Sequence, residues 1–270
     1  MDHTAYTTVV DYADWRHSGL ERQFTRHFDR STIANKRVLD FGSGSGQLSE
    51  LAAELGAESV VGVDLMEKFV TLARESATSH GLGDKVSFLV GSTTAIPLVD
   101  ARVDVVLCFD VMEHVLAYQA IVREWRRVLA PGGRVLICWS SLWMHPYGHH
   151  CYPLVNVPWA HLVLSEAAFF RVCARTYDMP EYQPSFWHLD NQGQRKPNPF
   201  VSSPTQDDYL NKLTTWKFER CCRRSGLQIA RKEVVPFSGD RLRYVKRFLA
   251  SVPYLSDAFC GRVVYELRAV

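Results

Sequence analysis

The sequence predicts an α/β fold built on an open, doubly wound sheet, mostly parallel, with helices on both faces. Three observations carry that prediction. Short β-favouring runs alternate with helix-period segments from residue 37 to residue 140. A turn with glycine at every second position, Gly42-Ser43-Gly44-Ser45-Gly46, joins the first such run to the first such helix. The second run, Ser59-Val60-Val61-Gly62-Val63-Asp64, ends on an acid eighteen residues after Gly46.

The elements follow in order. Arg37 to Phe41 reads as a strand and 47–57 as a helix, with Leu48, Leu51, Ala52 and Leu55 at helical spacing. Strand 59–64, helix 66–80, a turn at Gly81-Leu82-Gly83-Asp84 and strand 86–90 come next. Strand 103–109, a helix over 117–129, a turn at Ala130-Pro131-Gly132-Gly133 and strand 134–139 complete the alternation. Ligands of such sheets bind at the carboxyl ends of the strands. Asp40, Asp64, the Gly91 region and Phe109-Asp110 all fall at predicted strand ends, so they should converge along one edge.

The flanks are less regular. Ser18 to Arg30 predicts a helix with Leu20, Phe24 and Phe28 at spacing four. Residues 141–204 break the alternation and collect His145, His149, His150, Trp143, Tyr147 and Tyr152, then a proline-rich stretch holding Phe186-Trp187-His188. Trp159 to Arg175 has the pattern of one amphipathic helix. Thr205-Gln206-Asp207-Asp208 reads as the cap of a helix running to Arg224. A strand over 227–237, a helix over 241–250 and a strand over 262–269 follow.

Composition narrows the function. The 270 residues allow one large domain with an insertion, and 31 basic against 29 acidic residues give a net charge of +2. That balance does not call for nucleic acid. Residues 217–247 carry ten basic and three acidic side chains, read as a solvated face. Seven cysteines without a C-x-x-C pair suggest neither a disulfide framework nor a zinc site. The start of the chain has no basic, apolar leader and no run long enough to span a membrane, so a cytoplasmic protein without membrane association is expected.

The glycine turn reads G-x-G-x-G, whereas a nicotinamide fingerprint reads G-x-G-x-x-G. An acid at position 40, two places before the first glycine, would repel a pyrophosphate and suit an ammonium or sulfonium group. Val38-Leu39-Asp40-Phe41-Gly42-Ser43-Gly44-Ser45-Gly46 with Val61-Gly62-Val63-Asp64-Leu65 resembles motif I and the acidic loop of the class I S-adenosylmethionine (SAM) dependent methyltransferases. Asp104 to Val115, ending Glu113-His114-Val115, resembles that family's fourth motif, and Trp125 to Ile137 its next helix-turn-strand. The resemblance covers residues 37–140.

It implies a Rossmann-like seven-stranded sheet, closed by an antiparallel hairpin, with a substrate-binding insertion. It divides the chain into an N-terminal lid or helical segment (1–36), a SAM-binding core (37–140), the insertion (141–204) and the rest of the core (205–270). Cofactor-binding roles follow: Asp40 holds the amino group or orients the turn, Gly42, Ser43, Gly44 and Gly46 admit the cofactor, Asp64 fixes the ribose, and Leu65 and Met66 pack on adenine. Ser92 stands where the family usually has the Asp that accepts from the adenine amino group, with Thr93 and Thr94 beside it. Phe109, Asp110 and Val111 line the amino acid portion, and Tyr12, Trp15 or Arg16 of the lid touch the methionine end.

The expected reaction is methyl transfer from SAM to a small-molecule acceptor at O, N or C, leaving S-adenosyl-L-homocysteine. The aromatic insertion suits an aromatic, heterocyclic or sugar-bearing acceptor, such as an intermediate of secondary metabolism. His149 and His150 are the first candidates for a base, since imidazole titrates near neutrality, with His145 and His188 next. His114 reads as structural. No metal is expected, and a homo-oligomer is compatible with this reading. An NAD(P)-dependent Rossmann oxidoreductase and a non-catalytic SAM-binding protein are the alternatives.

Overall fold

The computed structural model describes residues 9–140, 142–184, 188–190, 192–201, 210–237, 243–252 and 255–270. Tyr6, Ser141, Phe186, Trp187 and the Thr205 to Asp208 cap lie outside the described residues, as does the side chain of Tyr12.

Seven strands form one sheet in the order β3-β2-β1-β4-β5-β7-β6. They are β1 (Arg37–Phe41), β2 (Ser59–Asp64), β3 (Val86–Val90), β4 (Val103–Phe109), β5 (Leu129–Ser140), β6 (Leu227–Pro236) and β7 (Cys260–Ala269). The first five are mutually parallel, and β7 runs antiparallel between β5 and β6. The predicted mixed sheet and its closing hairpin are therefore present. β1 and β4 lie side by side, with successive strands wound outward from them in opposite directions. That reversal opens a crevice at their carboxyl ends.

The helices pack on both faces. α1 (Val9–His27), α2 (Gln47–Glu54) and α3 (Glu67–Ser79) precede α4 (Tyr118–Val128). Strands β1 and β4 are buried on both sides, which is why they read as continuous apolar runs instead of alternating ones. Trp125 of α4 and Trp139 of β5 are fully buried in the core on one face, with Phe41 edge-on to Trp125 at 5.7 Å. Leu20, Phe24 and Phe28 pack with Phe109 and α2 on the other face. Their spacing of four puts three large apolar groups on one side of α1 and the following turn, and each stabilises the fold by about 1.5–3 kcal/mol when fully buried.

Three local expectations change. The Ala130 to Gly133 turn is a bulge inside β5, because Val103 pairs with Leu129 and Val105 already with Arg134. The single helix expected over 159–175 is two, α5 (Ala160–Val163) and α6 (Glu166–Asp178). Ser165 breaks it by capping α6, its Oγ accepting from Ala168 N. The helix expected from residue 205 begins at Thr215 as α7 (Thr215–Arg224), capped by the Thr214 hydroxyl. α8 (Arg243–Ser251) and α9 (Ser256–Phe259) precede β7.

Residues 151–200 have a core of their own. Cys151, Leu154, Phe169, Phe170, Cys173, Tyr177 and Tyr182 form it, with Phe200 packed against them. Tyr182 Oη lies 2.7 Å from His188 Nδ1, and the Tyr177 hydroxyl donates to Lys196 O. All seven cysteines are free thiols. No described helix is long and apolar enough to cross a membrane.

Candidate active site

The glycine turn is held against β2 by backbone bonds. Gly42 N and Ser43 N both donate to Val63 O, at 2.8 and 3.1 Å. Gly42, Gly44 and Gly46 all have positive φ, at +77°, +52° and +97°. At Gly42 a Cβ would lie 2.6 Å from both methyls of Val111, so this position needs glycine for space as well as conformation. At Gly44 a Cβ would meet nothing within 4 Å, so the turn faces open space there.

Asp64 ties the turn to the end of β2. Its Oδ2 accepts from Gly44 N and its Oδ1 from Met66 N, both at 2.9 Å. A carboxylate oxygen has two lone pairs, so each still has capacity for a ligand hydroxyl. Leu65 and Met66 beside it are more than half exposed, an open apolar pair. Across the crevice, Ser92 closes its own turn, its Oγ accepting from Ala95 N at 3.0 Å and donating to Ala95 O at 3.3 Å. Thr93 and Thr94 are exposed in that turn.

Asp40 is buried beneath the glycine turn, accepting from Ser49 Oγ of α2 at 2.7 Å. Burial pushes its pKa up to about 7, the Ser49 bond opposing. Its position fits orientation of the turn from below, with its charge left to be drawn out by a nearby cation.

At the end of β4 the buried Phe109 gives way to Asp110, whose φ is +55°. Its Oδ2 accepts from Arg16 Nη1 of α1 at 3.2 Å. The first helix therefore reaches the strand ends. Two buried polar atoms here, Ser43 Oγ and Asp110 Oδ1, have no hydrogen-bond partner among the described residues. An unsatisfied buried group costs about 1–3 kcal/mol. A ligand bringing donors and acceptors into the crevice would relieve that cost, which is the structure's own evidence that the crevice fits a polar cofactor.

The structure separates the two histidines expected to act as bases. His149 is fully buried, and its Nδ1 accepts from Cys151 N at 3.0 Å. The lone pair of the neutral ring is thus engaged, and burial lowers its pKa to about 3. His145 resembles it: its Nδ1 accepts from Tyr147 N, and burial lowers its pKa to about 4. His188 is bonded to Tyr182 within the small core. His150 instead stands edge-on to His114, ring centroids 5.1 Å apart, with φ of +58°. The ligating atoms of Glu113, His114 and His150 all lie within 4.8 Å of one another.

Sequence reasoning missed two residues here. Glu113 is buried, and Oε2 of its carboxyl has no hydrogen-bond partner among the described residues. Asn211 braces the turn carrying it. Asn211 Nδ2 donates to the carbonyls of Met112 and Val115, and its N donates to Glu113 O. The Glu113-His114 pair was visible as part of a motif, but Asn211 stands almost a hundred residues away with no local signal.

Comparison with known proteins agrees with this geometry. Residues 39–137 match the family model described as "Methyltransferase domain". Over 112 residues the chain is 36% identical to the ubiquinone biosynthesis O-methyltransferase of Pseudomonas aeruginosa, covering 40% of this chain and 46% of that one. It is 33% identical over 115 residues to the norajmaline N-methyltransferase of Rauvolfia serpentina, covering 43% and 39%. The chain thus spans less than half the length of these curated relatives. An S-adenosylmethionine-dependent methyltransferase structure from Mesorhizobium loti shares the fold across 95% of this chain and 97% of its own, with TM-score 0.53 and 19% identity. The sequence match identifies residues 39–137 as a methyltransferase domain, and the strand order and the glycine turn with its acidic partner accord with that match.

Proposed function

We propose that this protein transfers a methyl group from SAM to a small-molecule acceptor. The observation that carries the reading is the Asp64 clamp. One carboxylate holds the glycine turn through Gly44 N and the start of the next loop through Met66 N, and each of its oxygens keeps a second lone pair for a ligand. Bound SAM would supply an electrophilic methyl on a sulfonium. The chain's own work is to hold the acceptor in line with that methyl and keep water out.

In this reading Gly42, Ser43, Gly44 and Gly46 cradle the methionine portion, and Asp64 accepts from the ribose hydroxyls. Leu65 and Met66 cover one face of adenine. With Ser92 engaged in its own turn, Thr93 and Thr94 are the hydroxyls of that loop open to the adenine edge. Phe109, Asp110 and Val111 line the amino acid end, with Arg16 closing over it. Residues 141–204 serve as the acceptor-binding segment, and their aromatic content favours a flat, aromatic or heterocyclic acceptor. His150 is the histidine we assign to the acceptor side, where it helps a hydroxyl lose its proton. We assign His149 to packing, because its acceptor nitrogen already takes a backbone N–H.

The relatives act on oxygen in one name and nitrogen in the other. That pair supports a small acceptor without choosing the atom. The test is incubation of the purified chain with SAM and panels of phenols, amines and indoles, read by mass spectrometry. A gain of one methyl on a small molecule, with S-adenosyl-L-homocysteine formed in equal amount, supports the reading. SAM binding without turnover on any panel would favour a non-catalytic SAM-binding protein.

A further inference from the structure

We propose that Glu113, His114 and His150 bind a divalent transition-metal cation at the acceptor side of the crevice. The proposal rests on the methyltransferase reading and specifies how its acceptor is held.

Three independent features meet at this point. The first is composition: two imidazoles and one carboxylate, with their ligating atoms mutually within 4.8 Å. That donor set suits zinc in an open catalytic site, or ferrous iron. Tetrahedral zinc at about 2.1 Å from each ligand sets the ligands roughly 3.4 Å apart. His114 lies at the surface and His150 is only partly covered, so modest ring rotations close that difference.

The second is an unmet need. Glu113 is 6% exposed, and its Oε2 has no hydrogen-bond partner among the described residues. A bound cation would give this buried oxygen the partner it lacks among the described residues.

The third is conformation. His150 sits in the left-handed region at φ +58°, a geometry that non-glycine residues keep where surrounding structure imposes it. On the other side, Asn211 fixes the Met112 to Val115 turn through three hydrogen bonds. Both sides of the cluster are set by backbone, as a ligand site requires.

Three protein ligands would leave a coordination position open to an acceptor. An oxygen acceptor would fill it, and its hydroxyl proton would pass to solvent more readily when metal-bound. The site therefore favours a hydroxyl, or two adjacent oxygens, over a carbon acceptor.

The test uses the full chain stripped with a chelator and then dialysed. Co2+ is titrated in and followed by its visible absorption, and SAM is titrated separately into the same metal-free protein by calorimetry. The expected result is one Co2+ per chain, displaced by Zn2+. Affinity should fall roughly ten- to hundredfold in Glu113→Gln and in His150→Asn. Asn tolerates the left-handed backbone, so the second variant retains the fold. SAM binding with no stoichiometric Co2+ binding would overturn the metal site and leave the methyltransferase reading standing. Co2+ binding undiminished in both variants would also overturn the site. Failure of SAM binding would count against the methyltransferase reading on which the site rests.

Discussion

Arg16 of the first helix donates to Asp110 at the end of the fourth strand across 3.2 Å, joining residues 94 apart in sequence. Both side chains are mostly covered. The contact ties the amino-terminal helix to the carboxyl end of β4, where Oδ1 of Asp110 has no hydrogen-bond partner among the described residues.

The first prediction concerns that contact. Partly exposed ion pairs contribute about 1 kcal/mol or less. Arg16→Ala should therefore leave the melting temperature nearly unchanged while weakening SAM binding about fivefold. Calorimetric titration of the variant reads both the affinity and the enthalpy.

Gly42 yields a sharper prediction. Gly42→Ala meets the Val111 methyls at 2.6 Å and carries a φ of +77°. It should cost about 2 kcal/mol or more of stability and abolish measurable SAM binding. Adding Val111→Ala should relieve the clash and recover part of the stability, leaving the cost of the backbone angle. Denaturant unfolding of the single and double variants separates the two.

Asp40 makes binding depend on pH. Its pKa in the fold is about 7 against 3.8 ordinarily, so the folded state holds its proton where the unfolded chain has lost it. This group's contribution to stability is full below 3.8 and is lost as pH rises through about 7. A cationic ligand favours the ionised form. SAM binding at pH 6 should therefore release a proton, and affinity should rise by up to about tenfold per pH unit until 7. Calorimetry in buffers of different ionisation enthalpy detects the proton. Asp40→Asn, which keeps the Ser49 contact, should flatten both dependences.

Asn211→Ala removes the side-chain bonds to the Met112 and Val115 carbonyls and leaves the backbone bond to Glu113 O in place. Loss of these two part-buried side-chain bonds should cost about 2 kcal/mol. Turnover should fall more than SAM affinity does if the braced turn holds the acceptor as proposed. Thermal unfolding and a kcat against KM comparison check this.

These residues also show what a sequence makes readable. The sheet was legible because each of β1 to β4 is a short apolar run followed by a strong turn or helix signal, and Phe41, Asp64 and Phe109 closed theirs where expected. The convergence of Asp40, Asp64 and Asp110 followed from topology alone. Burial within the insertion was not legible. His149 and His150 are adjacent in sequence, yet one faces a small hydrophobic core and the other faces His114. Adjacent residues in irregular backbone carry no periodicity to separate them. Ser165 caps α6 inside the stretch that the apolar pattern read as one helix. Asn211 acts on a turn far away in sequence, and nothing near it announces the contact.

The most direct measurement is calorimetric titration of the purified chain with SAM and, separately, with NADH, repeated on Asp64→Ala. The variant frees both Gly44 N and Met66 N and removes the proposed ribose acceptor. The account predicts micromolar SAM binding, no NADH binding, and a loss of SAM affinity of about a hundredfold in the variant. NADH binding in place of SAM, or SAM binding unchanged by Asp64→Ala, would contradict it.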